Sequence, residues 1–236
     1  MILSLAKSVI HRLGREYCTA VCKSEFEAQV YKRTNERPIE WRFTFECITD
    51  TCPRTVLDVG TGPSPLPALI GSCGITASAI DNIRDYWTKG MFNRHFYVRN
   101  EDATRSLNGQ FDLVTCISVL EHIPNSDDAV KNMLGAVAPG GHLVLTHPYN
   151  ENRYCENAYK LPEAGYGQDA PYVCQIYSRR ELDRWFADPA IRIVRQEYWQ
   201  VFSGEYWTSG QWLRPPVRVS REDRHHLTCL LVRKEE

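Results

Sequence analysis

The sequence carries almost no net charge, since 28 lysines and arginines stand against 29 aspartates and glutamates. A chain so balanced has no overall electrostatic attraction to nucleic acid, and we expect no nucleic-acid partner. It also lacks an apolar run near the roughly 20 residues that span a bilayer, which predicts no transmembrane segment. No internal repeat, low-complexity segment or linker rich in proline and serine is visible, so the 236 residues predict one elaborated domain.

The nine cysteines form no familiar metal or disulfide framework. Their number is odd and no C-x-x-C pair occurs, which is typical of reduced thiols in a reducing compartment. A zinc site built from Cys18, Cys22, Cys47 and Cys52 would have spacings unlike those of known zinc knuckles. We therefore expect no metal.

The first 15 residues place apolar side chains at helical spacing, with Lys7, Arg12 and Arg15 on the other side. Lys7 interrupts the apolar run and no small-residue cleavage site follows, so we expect no signal peptide and a cytoplasmic location. The pattern predicts an amphipathic helix packed on the domain. Peripheral contact of residues 1–15 with a membrane is the alternative.

Residues 55–69, TVLDVGTGPSPLPAL, predict a buried strand, a glycine turn and the start of a helix. Such a unit lets a nucleotide-like ligand approach the backbone closely. The dinucleotide fingerprint G-x-G-x-x-G needs a third glycine where this chain has Pro65, which argues against a pyrophosphate. Asp58, Gly60 and Gly62 instead place a carboxylate at the strand end, where it suits a ligand with a cationic amino-acid end.

Polar residues also follow the next two predicted strands. Asp81 closes a strand over 75–80, and its distance of about 20 residues from Asp58 is typical of an acidic residue that meets ribose hydroxyls. Asn82 is placed to share that contact. Asp102 follows a weaker strand over 95–98, where a polar turn is the alternative interpretation.

The middle of the chain continues the alternation of strands and helices. Residues 111–118 predict a fourth strand followed by the segment VLEHIP, and a helix then leads to Pro139-Gly140-Gly141 and a fifth strand over 142–146. This order predicts a parallel sheet with right-handed crossovers. Residues 55–148 as a whole resemble the class I S-adenosylmethionine-dependent methyltransferases of small molecules, through DVGTG, LEHIP and the PGG turn.

The resemblance implies an α/β, Rossmann-like fold with a seven-stranded, mostly parallel sheet, an antiparallel last strand and helices on both faces. It divides a single domain into a helical cap (1–50), a cofactor-binding core (51–147), a lid or substrate insertion (148–177) and a C-terminal helix with strands (178–236). The implied cofactor is S-adenosyl-L-methionine. Ser64 stands where the family has a third glycine, and prolines at 63, 65 and 67 stiffen the turn.

The resemblance also implies the contacts of each part of the cofactor. The assigned positions are Asp58, Gly60, Thr61 and Gly62 for the methionine end, Asp81 and Asn82 for the ribose, Asp102 and Ala103 for the adenine, and Ser118 and Glu121 near the transferring methyl group. Arg42 is a further candidate for the cofactor carboxylate, with a solvated arginine as the alternative.

A hydroxyl acceptor needs a base to take its proton, and histidine suits that role near neutral pH. His147 ends the fifth strand and is the preferred candidate. His122 follows the fourth strand, with a structural bond to the backbone as its alternative role. Tyr149, Asn150 and Tyr154 are predicted to hold the acceptor.

The segment from 147 to 177 has no periodicity and contains six tyrosines, which predicts an ordered lid over a pocket. Its tyrosines and asparagines suit a polyhydroxylated or ring-shaped acceptor. We therefore predict O-methylation of a small molecule, a sugar or glycan intermediate. N-methylation of an amine or amino sugar and a catalytically inactive binding module are the alternatives, and the oligomeric state is open, with a homodimer possible.

Overall fold

The computed structural model describes residues 2–28 and 34–236, so residues 29–33 of the predicted helical cap lie outside the described residues. The chain divides into two compact units, Met1–Glu36 and Arg37–Glu236. The first contains helix α1, Ile2–Ala28, whose described side chains are exposed except for the partly buried Val21. The predicted N-terminal helix is thus present and longer than expected, with its apolar side chains exposed. In the part of the chain that is described, no helix is apolar and long enough to cross a bilayer.

The second unit is one sheet of eight strands with helices beside it. Its helices are α2 Arg37–Thr51, α3 Leu66–Ser72, α4 Ile83–Tyr86, α5 Ser126–Ala136 and α6 Arg179–Trp185. Its strands are β1 Thr55–Val59, β2 Thr76–Asp81, β3 Arg99–Asn100, β4 Phe111–Ile117, β5 Val137–Pro148, β6 Ile191–Phe202, β7 Trp212–Val219 and β8 Leu227–Lys234. They lie in the order β3-β2-β1-β4-β5-β8-β6-β7.

The first five strands are parallel to one another. The three remaining pairings, β5 with β8, β8 with β6 and β6 with β7, are antiparallel. Two hydrophobic clusters cover the two faces of the sheet. The predicted Rossmann-like fold is therefore confirmed, with eight strands in place of seven. The additional strand, β7, forms the edge of the sheet, where its two prolines are tolerated.

The sheet reverses its strand order at β1, which pairs with β2 on one side and β4 on the other. In open α/β sheets, ligands bind at the carboxyl ends of the strands beside such a point. The segment after β5 crosses this edge with two bridges, Tyr149 to Tyr177 and Cys155 to Ile176. Both tyrosines of the first bridge are fully buried, so the segment is packed in place.

Candidate functional site

The carboxylate of Asp58 connects the glycine turn after β1 to the neighbouring strand β4 through two hydrogen bonds. One oxygen of this carboxylate accepts a hydrogen bond from Thr61 Oγ1 at 2.7 Å and the other from Thr115 Oγ1 at 2.6 Å. Asp58 is buried, and this burial raises its pKa to about 6. Both oxygens bind protein hydroxyls and Asp58 does not line the cavity described next, so its contact with a ligand stays a prediction.

A cavity of about 580 Å³ opens at the carboxyl ends of β1, β2 and β4. It brings together seven residues that the sequence predicted for the site. These are Gly60, Asp81, Asn82, Asp102, Ala103, Ser118 and His122. The cavity wall therefore brings together residues at the carboxyl ends of β1, β2, β3 and β4.

Gly60 is the point where the backbone forms the cavity wall. Its φ is +75°, in the left-handed region that favours glycine. A Cβ at this position would stand 2.8 Å from the Cβ of Val119 and closer still to both of its methyl groups. Only glycine fits here, and the surface it leaves is bare backbone.

Asp81 joins the end of β2 to the same turn. Its Oδ2 accepts the backbone N–H of Gly62 at 2.7 Å, so Gly62 contributes through the backbone although it is not part of the cavity lining. Burial raises the pKa of Asp81. The carboxylate of Asp81 thus forms part of the cavity wall.

Asp102 and Ala103 form the far wall. Asp102 Oδ1 accepts from the backbone N–H of Thr104 at 2.9 Å and from its hydroxyl at 2.8 Å, which fixes the turn. Ala103 is buried and presents a small apolar face to the cavity. A planar ring can lie against Ala103 while Asp102 accepts from its edge.

Ser118 has a φ of +50°, which is unusual for a residue with a side chain. Its hydroxyl donates to the fully buried carboxylate of Glu40, which also accepts from Thr146 Oγ1 at 2.6 Å. Arg37 donates to the second oxygen of Glu40 at 3.0 Å and to the Ile117 carbonyl at 3.1 Å. The polar network around Glu40 stabilises the unusual backbone conformation of Ser118.

Arg37 lines the cavity, and Arg42 does not. Arg42 instead forms ion pairs with Glu46 at 2.6 Å and with the buried Glu197. Arg42 therefore lies outside the cavity, and Arg37 is the arginine in its wall. Sequence reasoning missed Arg37 because a residue before proline is disfavoured in a helix, so no side-chain role was assigned to it. Its spacing of three residues to Glu40 is nevertheless that of a helical ion pair.

His122 stands in the cavity wall at the end of a short 3₁₀ turn, Leu120–His122. Its Nδ1 lies 2.7 Å from the Val173 carbonyl, which can only accept, so Nδ1 carries the proton. Burial lowers the pKa of His122, so the ring is neutral at pH 7 with an unprotonated Nε2. The carboxylate of the buried Glu121 lies 3.9 Å from that Nε2. Such an imidazole is ready to take a proton.

His147 is fully buried and does not line the cavity, which corrects its assignment as the base. Its ring packs edge-on against Tyr177 and Trp185, and its Nε2 has no hydrogen-bond partner among the described residues. Desolvation lowers the pKa of His147 to about 4. The histidine at the end of β5 is thus a neutral core residue.

This burial has a consequence for stability. Because the pKa of His147 falls from 6.5 to about 4 on folding, the unfolded chain binds the proton first as the pH drops below 6.5. The free energy of unfolding therefore falls as the pH drops from 6.5 to 4. The loss due to His147 is about 3 kcal/mol, at about 1.4 kcal/mol per pKa unit. We expect His147→Gln to flatten the pH dependence of the unfolding free energy in this window, measured by urea titration. An unchanged slope would contradict a buried neutral ring.

Two further residues predicted for the acceptor lie outside the cavity. The fully buried Tyr149 donates its hydroxyl to Glu151 at 2.8 Å, and Asn150 Oδ1 accepts from the backbone of Asn152 and Arg153. Both stabilise the segment after β5, and their assignment to the acceptor is corrected.

A second, polar cavity of about 330 Å³ adjoins the first, since Pro124 and Asn125 line both. Tyr154 lies in its wall and donates its hydroxyl to Gln175 Oε1 at 2.8 Å. The remaining lining residues are Ser126, Asp127, Gln175, Tyr177, Arg180, Glu181 and Arg184. Two cations and two carboxylates balance each other there, so the cavity is polar without a net charge.

A family model described as a methyltransferase domain matches residues 29–189 of this chain. A protein named ubiquinone biosynthesis O-methyltransferase from Thiobacillus denitrificans is 32% identical over 138 residues, which are 55% of this chain and 56% of that protein. The protein of the same name from Pseudomonas paraeruginosa is 26% identical over 159 residues, 59% of this chain and 65% of that protein. The chain thus spans less than two thirds of either relative.

Two solved structures have the same fold. The 1,6-didemethyltoxoflavin-N1-methyltransferase of Burkholderia thailandensis superposes with a TM-score of 0.57 at 15% identity, covering 94% of this chain and 90% of that one. TehB from Haemophilus influenzae gives a TM-score of 0.55 at 13% identity, covering 89% and 66%. The first of these contains bound S-adenosylhomocysteine.

Proposed function

Since this chain belongs to the methyltransferase domain family, we propose that it is an S-adenosylmethionine-dependent methyltransferase that methylates a hydroxyl group of a small molecule. The observation that carries the proposal is a single cavity in which Gly60, Asp81, Asp102 and His122 meet. The first three suit a nucleoside with an amino-acid tail. His122 suits removal of a proton from the acceptor.

The residues of the cavity fit S-adenosylmethionine along its length. The bare backbone at Gly60 admits a ligand where any side chain would collide with Val119. Asp81, Asp102 and Ala103 all line the cavity, which supports the proposal. Asp81 would accept from the ribose hydroxyls, and Asp102 from the adenine amino group with Ala103 against the ring. Arg37 supplies a cation for the carboxylate of the methionine end. When bound, the cofactor supplies an electrophilic methyl group on a sulfonium.

The protein's own task is to orient the acceptor and to move one proton. Holding the two reacting groups in line contributes several kcal/mol to catalysis. Nε2 of His122 takes the proton that the acceptor hydroxyl gives up. The methyl group would come from the sulfonium, whose sulfur–methyl bond would break to leave a neutral thioether. The charge then present on the imidazole ring is stabilised by the carboxylate of Glu121.

The acceptor that we propose is a sugar or glycan intermediate. The polar cavity beside His122 supports this class, since it mixes donors and acceptors from Asn125, Tyr154 and Arg180 without a net charge. A polyhydroxylated ring can place one hydroxyl at His122 and bind the others there. The names of the curated relatives are consistent with transfer of a methyl group to oxygen.

The cofactor assignment is tested by calorimetry. We expect S-adenosylmethionine to bind with measurable heat and NAD to give none. If S-adenosylmethionine at millimolar concentration gave neither heat of binding nor a thermal shift, the proposed methyltransferase activity would be contradicted. A mass-shift assay with labelled cofactor against nucleotide sugars, phenols and amines then identifies the acceptor, and methylation of amines alone would contradict transfer to oxygen.

Asp81→Asn is expected to raise the Kd for S-adenosylmethionine by about 10 to 100-fold. The asparagine keeps an acceptor for the Gly62 N–H but loses the charge that strengthens hydrogen bonds to the ribose, which is worth about 1.5–3 kcal/mol. The matched control is Asp85→Asn, which removes a charge from the same cavity without an assigned contact. Equal Kd values for Asp81→Asn and the unmodified protein would contradict the ribose contact.

A further inference from the structure

Helix α1 presents large apolar side chains to solvent. Leu5, Val9, Leu13 and Tyr17 follow one another at four-residue steps, and Ile10 lies beside them. Each of the five is between 53% and 70% exposed. Residues four apart lie on one side of a helix, so these side chains form a continuous stripe. An exposed apolar stripe of this length is typical of a surface that binds a partner.

The charges around the stripe indicate the nature of that partner. Residues 2–15 contain Lys7, Arg12 and Arg15 and no acidic residue, and the first carboxylate of the chain is Glu16. At 3.6 residues per turn, Lys7 and Arg12 lie on opposite flanks of the stripe. None of the three cations forms an ion pair with a described residue. The stripe is thus bordered by unpaired positive charge on both sides.

A second copy of α1 is a poor match for this surface, because symmetric pairing along the stripe would bring cations against cations. An anionic bilayer matches both features at once, since its acyl region accepts the apolar stripe and its phosphates accept the flanking cations. Within the described residues no helix can cross a bilayer, so the mode of contact is parallel to the surface.

We propose that α1 is a peripheral membrane anchor that lies in the interface of anionic phospholipid bilayers, with Leu5, Val9, Ile10, Leu13 and Tyr17 inserted between the lipid headgroups. Lys7 and Arg12 lie at the level of the phosphates. This anchor is independent of the chemistry of the methyl acceptor.

The test is co-sedimentation of the 236-residue protein with vesicles of phosphatidylcholine, with or without 30 mol % phosphatidylglycerol. Binding to the anionic vesicles is expected at low salt and is expected to weaken at 0.5 M salt. Replacing Lys7, Arg12 and Arg15 together by glutamine lowers the partition coefficient by about 100-fold, at about fivefold per cation. Lys23→Gln, outside the basic segment and paired with Glu27 at 3.7 Å, is the matched charge control and has little effect.

The apolar contribution is tested by a second pair of variants. Ile10→Gln with Leu13→Gln lowers partition by at least about tenfold, whereas Ser4→Gln with Ser8→Gln on the opposite face leaves it unchanged. Binding of S-adenosylmethionine and the circular dichroism spectrum report that both variants remain folded. Equal partition of both pairs, or no binding of the unmodified protein to anionic vesicles, would overturn the proposal. A fall in the vesicle-free sedimentation coefficient of the Ile10/Leu13 variant would also overturn it, because the stripe would then join two copies.

Discussion

Gly60→Ala is expected to abolish measurable binding of S-adenosylmethionine. Two independent effects act at this position. The φ of +75° costs a residue with a side chain about 1–2 kcal/mol. The new methyl group would also overlap the side chain of Val119, whose backbone continues directly from the strained Ser118. The turn or the Val119 segment has to move, and either movement displaces a wall of the cavity.

Gly71→Ala is the matched control for this substitution. Gly71 lies in helix α3, and a Cβ there meets no atom within 4 Å. Its replacement by alanine is expected to leave the Kd unchanged and to stabilise the fold by about 0.5–1 kcal/mol. Calorimetric titration of both variants measures the difference in binding.

Gly62→Ala separates backbone strain from steric overlap. Its φ is +54°, but the nearest atom to a new Cβ is Met91 Cε at 3.8 Å. We therefore expect weakened binding for Gly62→Ala and none for Gly60→Ala, with circular dichroism and urea unfolding reporting the fold of each. Unimpaired binding by a folded Gly60→Ala protein would show that the ligand does not approach this backbone.

Three residues predicted for the site line one cavity for a shared reason. Gly60 and Asp81 directly follow predicted strands, and Asp102 lies four residues beyond the strand predicted over 95–98, which forms instead at Arg99–Asn100. The carboxyl ends of parallel strands meet at one edge of a sheet. Local pattern and topology together therefore bring them to one cavity, without any knowledge of side-chain packing. The same reasoning located β1, β2 and β4 to within a few residues, whereas β5 begins at Val137, five residues before its predicted start.

The residues that sequence reasoning missed or misplaced depend on contacts between distant segments. Glu40 lies in a helix that precedes the whole sheet, and its carboxylate accepts hydrogen bonds from Ser118 and Thr146. No local sequence pattern predicts such a contact. His147 ends a strand at the expected edge, but β8 pairs beside it, with Thr228 opposite His147, and the segment after β5 covers it. Whether a residue at the end of a strand lines a cavity or is buried depends on the segments that pack against it. Its neighbours in sequence do not determine those contacts.

His122→Asn is expected to lower kcat for a hydroxyl acceptor by about 100-fold or more, with the Kd for S-adenosylmethionine unchanged. The asparagine amide can still donate to the Val173 carbonyl as Nδ1 does, so the segment that carries Val173 stays in place. What it lacks is the proton acceptor at the position of Nε2. A loss of turnover in a variant that keeps this hydrogen bond therefore reports proton transfer and not packing.

The pH profile gives an independent measure of the same group. Because burial lowers the pKa of His122 below 6.5, kcat/KM of the unmodified enzyme should rise with pH up to that lowered pKa and remain level above it. The rising limb should be absent from His122→Asn and retained in His147→Gln. A retained limb and full turnover in His122→Asn would instead indicate an amine acceptor, whose own pKa would set the profile and which needs no base of this kind.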